Sequence, residues 1–232
     1  MISDAPDASL ALVRLLQLAS PALPIGAYSY SQGLEWVVEE GTVHDVESAQ
    51  AWIGDVLGHV MATGEAAVVW RLLVAAERAD WPEVARWNAW FRASRETAEL
   101  RAETEQMGGS LAKLAGDLDI VDADVKALLV SLAPVTLPAS YALVARAFAV
   151  PPDAALIAYV WSWLENQAMA AIKAVPLGQV AGQRLLLTLG ERIPAALAVA
   201  RSVADDDVAS FAPGLAQASA RHETQYTRLF RS

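Results

Sequence analysis

The sequence has no cysteine, only three histidines and little charge, and each shortage excludes a class of protein. Without a thiol there is no disulfide framework, thiolate nucleophile, cysteine-based zinc site or iron–sulfur cluster. Lys and Arg number 17 against 27 Asp and Glu, a net charge of −10, whereas a nucleic-acid binder needs a basic surface. Charged residues make up only 19% of the chain and apolar residues 55%, which excludes a disordered protein.

Uninterrupted apolar runs of membrane-spanning length are also missing. The longest uncharged stretch, residues 127–145, is broken by Pro134 and Pro138. Other apolar runs are shorter than the ~20 residues that a bilayer requires. Residues 1–7 are acidic and lack a basic segment before an apolar one, so no secretory signal is expected. These features predict a cytoplasmic protein without a membrane span, whose apolar surplus is buried in a core or against other chains.

The residues that are abundant favour helices. Alanine dominates, followed by other strong helix formers. Apolar residues recur at spacings of three and four along segments such as residues 51–61, as they do on one face of a helix. Asp45, Asp80 and Asp122 each precede such a segment and are candidate N-caps.

Helix boundaries and domain organisation follow from the same pattern. Gly64 is expected to separate two helices, and a long helix is expected over residues 95–114. No repeat or low-complexity linker divides the chain. We therefore predict one all-α domain over residues 1–232, built from about nine or ten helices with short connections.

Motifs that carry catalysis or bind cofactors are not found. The sequence has no phosphate-binding glycine loop and no nucleophile elbow. None of His44, His59 and His222 has a second histidine three or four residues away, the spacing that lets a helix ligate a metal. We interpret His44 and His59 as ordinary surface or half-buried residues. The sequence therefore offers no convincing active site, and no catalytic, cofactor-binding or metal-binding residue is identified in it.

Three stretches nevertheless contain residue types that core packing does not require. Residues 15–35 are rich in Pro, Gly, Tyr and Ser, which suits either protein contact or a loop that only leads into a helix. Residues 163–186 embed polar groups and Lys173 in the most apolar part of the chain, as at an interface or around a snorkelling lysine. Residues 218–232 combine arginines with aromatic residues, which indicates docking onto a partner or a frayed end.

Together these stretches resemble the UreF family of urease accessory proteins, and the resemblance covers nearly the whole chain. The motifs that carry it follow the family's order: LLQLASPALPIGAYSYSQGLEW at residues 15–36, RAETEQMGGSL at 101–111, NQAMAAIKAVPLGQVAGQRLL at 166–186 and SARHETQYTRLFRS at 219–232. One departure is Gly26-Ala27, where many relatives have a Gly-Gly pair.

The resemblance implies an all-α homodimer that acts as a chaperone in nickel insertion into urease. Proteins of this family bind UreD, also called UreH, and recruit the GTPase UreG to the urease apoprotein. They are thought to gate or regulate UreG. Nickel is then expected only in transit, and no cofactor is expected to stay bound.

The resemblance also assigns partner-binding residues. Contact with UreG or with a second copy is expected at Tyr28, Ser29, Tyr30, Gln32, Glu35 and Lys173. Ordering against UreD is expected at Arg221, His222, Glu223, Tyr226 and Arg228. Residues 1–9 and 218–232 are expected to be flexible without a partner.

Two other classes of function remain open at the level of sequence. A helical metal-dependent enzyme would show perturbed acids or histidines clustered in one pocket. A peripheral membrane protein would use the apolar helices, although the acidic net charge disfavours anionic bilayers.

Overall fold

A computed structural model describes residues 8–210 and 212–232, and across these residues the fold is all-α, without strands. The predicted fold class is therefore confirmed. The α-helices are α1 (Ala8–Leu18), α2 (Leu34–Glu39), α3 (Val46–Val56), α4 (Ala66–Glu77), α5 (Trp81–Ala93), α6 (Ala98–Asp117), α7 (Ala123–Ser131), α8 (Leu137–Ala147), α9 (Pro152–Ala174), α10 (Gln179–Gly190), α11 (Ile193–Ser202) and α12 (Pro213–His222).

The predicted N-caps are confirmed. The Asp45 carboxylate accepts a hydrogen bond of 2.8 Å from the backbone N–H of Ser48 at the start of α3. Asp80 and Asp122 cap α5 and α7 in the same way, with N–H···O distances of 3.2 Å and 2.8 Å. Each cap satisfies a backbone donor that has no partner within its helix.

Two predicted boundaries are wrong. Gly64 does not separate two helices, because α3 and α4 are joined by a π-helical segment (Leu57–Glu65) into one continuous helix. A Cβ at Gly64 would lie 2.9 Å from the carbonyl oxygen of Ala209, so the glycine permits close packing of another segment. The helix predicted to begin at residue 95 begins at Ala98, because the Thr97 side chain accepts from the backbone N–H of Leu100 at 3.2 Å.

The continuous helix Val46–Glu77 is long and apolar enough to cross a membrane, yet 67% of its most apolar stretch is buried inside the protein. Its second half, α4, packs against α5, α8, α9 and α11. Val68, Val69 and Leu72 in α4 are fully buried. The length and hydropathy of this helix are therefore explained by its position at the centre of the core.

The crossing of α6 and α8 is unusually close because of one glycine. A Cβ at Gly108 would lie 2.4 Å from the carbonyl carbon of Thr136 and 2.4 Å from the carbonyl oxygen of Val135. The Ser140 hydroxyl also donates a hydrogen bond of 2.8 Å to the carbonyl oxygen of Gly108. Backbone and not a flexible side chain meets this position, so the surroundings have little room to adjust.

We expect Gly108→Ala to lower the free energy of unfolding by about 1–3 kcal/mol, because the added methyl forces α6 and α8 apart. Gly109→Ala is the matched control, since a Cβ at Gly109 meets nothing within 4 Å. Alanine is the better helix former by roughly 0.5–1 kcal/mol, so this control should be slightly stabilising. Urea denaturation of both variants measures the difference, and equal effects would contradict the close crossing.

Candidate partner-binding site around the C-terminal tail

The three polar stretches of the sequence meet at one place in the fold. We call residues 19–33 the N-terminal loop and residues 223–232 the tail. The side-chain amide of Asn166 on α9 donates to the carbonyl oxygen of Tyr30 in the loop at 2.9 Å. The backbone N–H of Ser31 donates to the carbonyl oxygen of Ser232 in the tail at 2.7 Å. Helix α9 therefore supports the loop, and the loop supports the tail.

Gln32 holds the loop in its bent conformation. Its backbone φ is 53°, in the left-handed region that costs energy for a residue with a side chain. Its side-chain oxygen accepts from the indole N–H of Trp163 at 2.8 Å, and its amide donates to Glu103 at 2.8 Å. Contacts from α9 and α6 thus fix both ends of the same amide group.

Glu35 is the second residue of α2, and its side chain binds backbone N–H groups of the tail. The two carboxylate oxygens accept from the backbone N–H of Leu229 at 2.6 Å and from that of Phe230 at 2.9 Å. The residue is only 7% exposed. A buried carboxylate needs such donors because unpaired burial of its charge is costly. The geometry explains why the tail turns back onto the protein at this point.

His222 at the end of α12 lies between two carboxylates and is fully buried. Its Nδ1 is 2.7 Å from Glu99 on α6, and its Nε2 is 3.2 Å from Glu35. Both ring nitrogens therefore contact a carboxylate, and an imidazole donates from at least one of its two nitrogens. Glu99 also accepts from Arg228 of the tail at 2.8 Å. This chain of charges joins α2, α6, α12 and the tail.

Glu103 lies one turn further along α6 and is 4% exposed. Its two oxygens accept from the Gln32 amide and from the Ser232 hydroxyl, each at 2.8 Å. Burial raises the pKa of this carboxyl to about 7 against the lowering effect of those hydrogen bonds, and the Glu65 carboxylate adds to the rise. A largely apolar cavity of about 80 Å³ lies behind it, with Glu65 also in its wall.

Other predicted residues face outward. Tyr28 is 65% exposed, and Tyr226 is fully exposed. Arg221 and Lys173 are exposed, and the Lys173 ammonium lies 5.7 Å from the centre of the Phe230 ring. Such a spacing is typical of a cation–π contact. The outer surface of the site therefore exposes the aromatic residues Tyr28 and Tyr226 and the cations Lys173 and Arg221, while Phe230 beside Lys173 is buried.

The predicted residues thus separate into two groups. Those that hold the tail from beneath are Tyr30, Gln32, Glu35 and His222, all buried or half-buried. Those on the outside are Tyr28, Lys173, Arg221, Tyr226 and Arg228. Ser29 and Glu223 have backbone partners: the Ser29 carbonyl accepts from the N–H of Arg231, and the Glu223 side chain accepts from the N–H of Ala98 at the start of α6.

Sequence reasoning missed Glu99, Glu103 and Ser232. A signal was present for Glu103, because it falls among Leu100, Met107 and Leu111 on the buried face of α6. An acid in that register indicates a buried carboxylate with a partner elsewhere. His44 and His59 are exposed, as predicted. Within the described residues, no group of three His, Asp or Glu side chains is placed to hold a metal ion.

The flexibility expected for residues 1–9 and 218–232 stays a prediction. Residues 1–7 lie outside the described part of the chain. Residues 218–222 belong to α12, and the tail that follows makes the contacts given above. Between its anchored ends, Thr224, Tyr226 and Thr227 are exposed to solvent.

Comparison with known proteins gives consistent matches. The family model of UreF matches residues 43–190. A urease accessory protein UreF of Azoarcus sp. (strain BH72) is 58% identical over 225 residues, covering 96% of each chain. One of Janthinobacterium sp. (strain Marseille) is 52% identical, covering 96% of this chain and 98% of its own. A bifunctional urease accessory protein UreEF of Bordetella bronchiseptica is 55% identical; the match covers 95% of this chain and 52% of that protein.

We expect His222→Ala to lower the free energy of unfolding by about 3–5 kcal/mol, because it leaves the Glu35 and Glu99 carboxylates facing each other in a buried space. His59→Ala is the control, since His59 is exposed on the π-helical segment, and its effect should stay within roughly 0.5 kcal/mol. Chemical denaturation at neutral pH provides the measurement. An effect of His222→Ala as small as that of the control would contradict the role given to the imidazole.

Proposed function

The chain belongs to the UreF family of urease accessory proteins, and we infer from this that it serves urease maturation by bringing other proteins together. It is not itself an enzyme; the relatives carry the name of an accessory protein. The family supports interaction with other urease maturation factors.

We propose that the partners are UreD (UreH), the GTPase UreG and the urease apoprotein, with which this chain acts in the cytoplasm during nickel insertion. In this scheme the chain binds UreD, recruits UreG and regulates it. Nickel is cargo that passes through the assembly and does not stay bound to this chain. The scheme rests on the family and on a surface of the tail that is suited to protein contact.

The observation that carries the proposal is the contrast between the two sides of the tail. Its inner side is fixed by Glu35, which binds two successive backbone N–H groups. Its outer side presents Tyr226 fully exposed and Leu229 71% exposed, with Arg228 between them in sequence. Aromatic and arginine residues are enriched at interface hot spots. Glu35 already holds the backbone at residues 229–230, so less backbone entropy is lost when a partner binds.

We further propose that the chain forms a homodimer through a second surface, the groove between α9, α10 and α11. The groove is lined by apolar side chains, and Ile157, Trp161 and Leu187 are 49%, 37% and 72% exposed. Glu191 and Arg201 also line it. In a two-fold interface each surface meets its own copy, so one acid and one base on the same groove can pair across the axis.

For the tail surface, we expect the double change Tyr226→Ala with Leu229→Ala to weaken capture of UreD or UreG at least about tenfold, because both side chains are exposed hot-spot candidates. The backbone N–H of residue 229 still reaches Glu35 in this variant, so the tail keeps its fold. Lys173→Ala separately tests the part of the surface that lies on α9 next to the N-terminal loop. Size-exclusion chromatography with light scattering of the purified mixtures measures complex formation.

Val130→Ala is the matched control, since Val130 is 78% exposed on α7 and makes no part of this surface. Unchanged capture of both proteins by the double variant and by Lys173→Ala would overturn the assignment of this surface.

For the groove, we expect Leu187→Asp to convert the dimer into a monomer, because it places a charge in an apolar interface centre. Val130→Asp adds the same charge at an exposed apolar site on α7 and should leave the dimer intact. Light scattering gives the mass of each variant directly. A dimer that survives Leu187→Asp would show that the two copies meet elsewhere.

A further inference from the structure

We propose that Glu103 is a proton-operated latch: the tail stays docked while this carboxyl is neutral and is released when it ionises. The proposal deepens the proposed function, since it rests on the tail as the partner-binding surface and gives that surface a control. Glu103 has the position for this task because it contacts the tail at Ser232 and the N-terminal loop at Gln32, and it lines a partly open apolar pocket.

The neutral form of Glu103 keeps both of its contacts. In the structure the Gln32 amide and the Ser232 hydroxyl each donate to one oxygen of Glu103. When the oxygen that faces Ser232 is protonated, it can donate to the same hydroxyl, which accepts as readily as it donates. No charge is then left in a place where Glu103 is 4% exposed. The docked tail therefore fits the neutral carboxyl without rearrangement.

The ionised form meets an environment with excess negative charge. Glu65 faces it from the π-helical segment, Tyr159 from α9 and Tyr30 from the N-terminal loop. Arg95 is the cation that faces it, but Arg95 already donates to Glu65 at 3.3 Å. One cation thus serves two carboxylates, and ionisation of Glu103 leaves one negative charge without a counterion.

Neighbouring charges do not supply the missing counterion. Arg231 of the tail faces the Tyr30 hydroxyl. One turn away, His222 and Arg228 contact Glu99, and His222 also contacts Glu35. These groups form a separate set of pairs with its own carboxylates.

In the proposed latch, lifting of the end of the tail exposes Glu103, because Ser232 contacts one of its oxygens. The cavity wall behind the carboxyl is mainly apolar, with Met107, Leu137 and Trp163 in it. Residues 226–229 of the tail are exposed. Segments with few buried contacts open locally at a low free-energy cost, so we expect the end of the tail to lift while the helices beneath it stay packed. Lifting Ser232 hydrates the carboxylate and relieves the cost of burying its charge.

The sign of the pH dependence follows from the pKa of Glu103, which is raised from 4.5 to about 7 when the site is closed. Between these two values the docked state binds the proton and the open state does not, so opening increases as the pH rises. The open fraction grows by up to about tenfold per pH unit and levels off above the higher value.

Hydrogen–deuterium exchange of the purified full chain tests the latch without any partner. We expect the protection factors of the Ser31 and Phe230 amides, corrected for the intrinsic rate, to fall up to about tenfold per unit from pH 5 to pH 7. In Glu103→Gln, which mimics the neutral carboxyl, they should stay high and independent of pH. Glu105→Gln is the matched control on the same helix, since Glu105 makes a surface ion pair with Arg92, and it should behave like the unmodified chain.

Two results would overturn the latch: protection that does not change with pH in the unmodified chain, or the same pH dependence in Glu103→Gln. Neither bears on partner capture, which the Tyr226 and Leu229 substitutions test at a single pH. Failure of the latch and failure of the proposed function are therefore distinguishable.

Discussion

Three glutamates that point into the protein, Glu35, Glu99 and Glu103, determine the structure of the side of the molecule that carries the tail. A carboxyl group removed from water needs hydrogen-bond partners whether it is ionised or neutral, and the helices that carry these residues use their own backbone donors mainly in internal hydrogen bonds. The donors come instead from the backbone of the tail, from His222 and from Gln32. Docking of the tail, the bend of the N-terminal loop and the position of α12 are consequences of this one requirement.

The sequence was sufficient for the parts of the fold that local chemistry controls. Period-3.6 patterns and the caps Asp45, Asp80 and Asp122 located helices and their first turns correctly. Gly64 was wrongly predicted to separate two helices, because the sequence does not distinguish a glycine in close contact with another segment from a glycine at the end of a helix. The contacts that Glu35, Glu99 and Glu103 make were not predicted, because their partners are distant in sequence. Glu35 and Leu229 are 194 residues apart, and no local pattern shows which donor a buried acid will contact.

Helix α9 connects the two proposed interaction surfaces. Trp163 and Asn166 near its middle hold the N-terminal loop, whereas Ile157 and Trp161 lie in the groove proposed for the second copy. Residues two positions apart on a helix face different sides. A change in the groove that rotates or shifts α9 would therefore be transmitted to the Gln32 amide, whose oxygen Trp163 binds. Helix α9 is therefore one rigid element that takes part both in the proposed dimer interface and in positioning the tail.

The distance along the chain between the carboxylates and their donors has a consequence for biosynthesis. Glu35 is made early, and its partners Leu229 and Phe230 follow 194 and 195 residues later. During translation this carboxylate stays hydrated and α2 lacks its final packing partners, since contacts of such high sequence separation form late. A chain interrupted before residue 228 would carry the same core helices without an organised tail surface. The tail surface therefore becomes organised only after residues 229–230 have been added, later than the core helices.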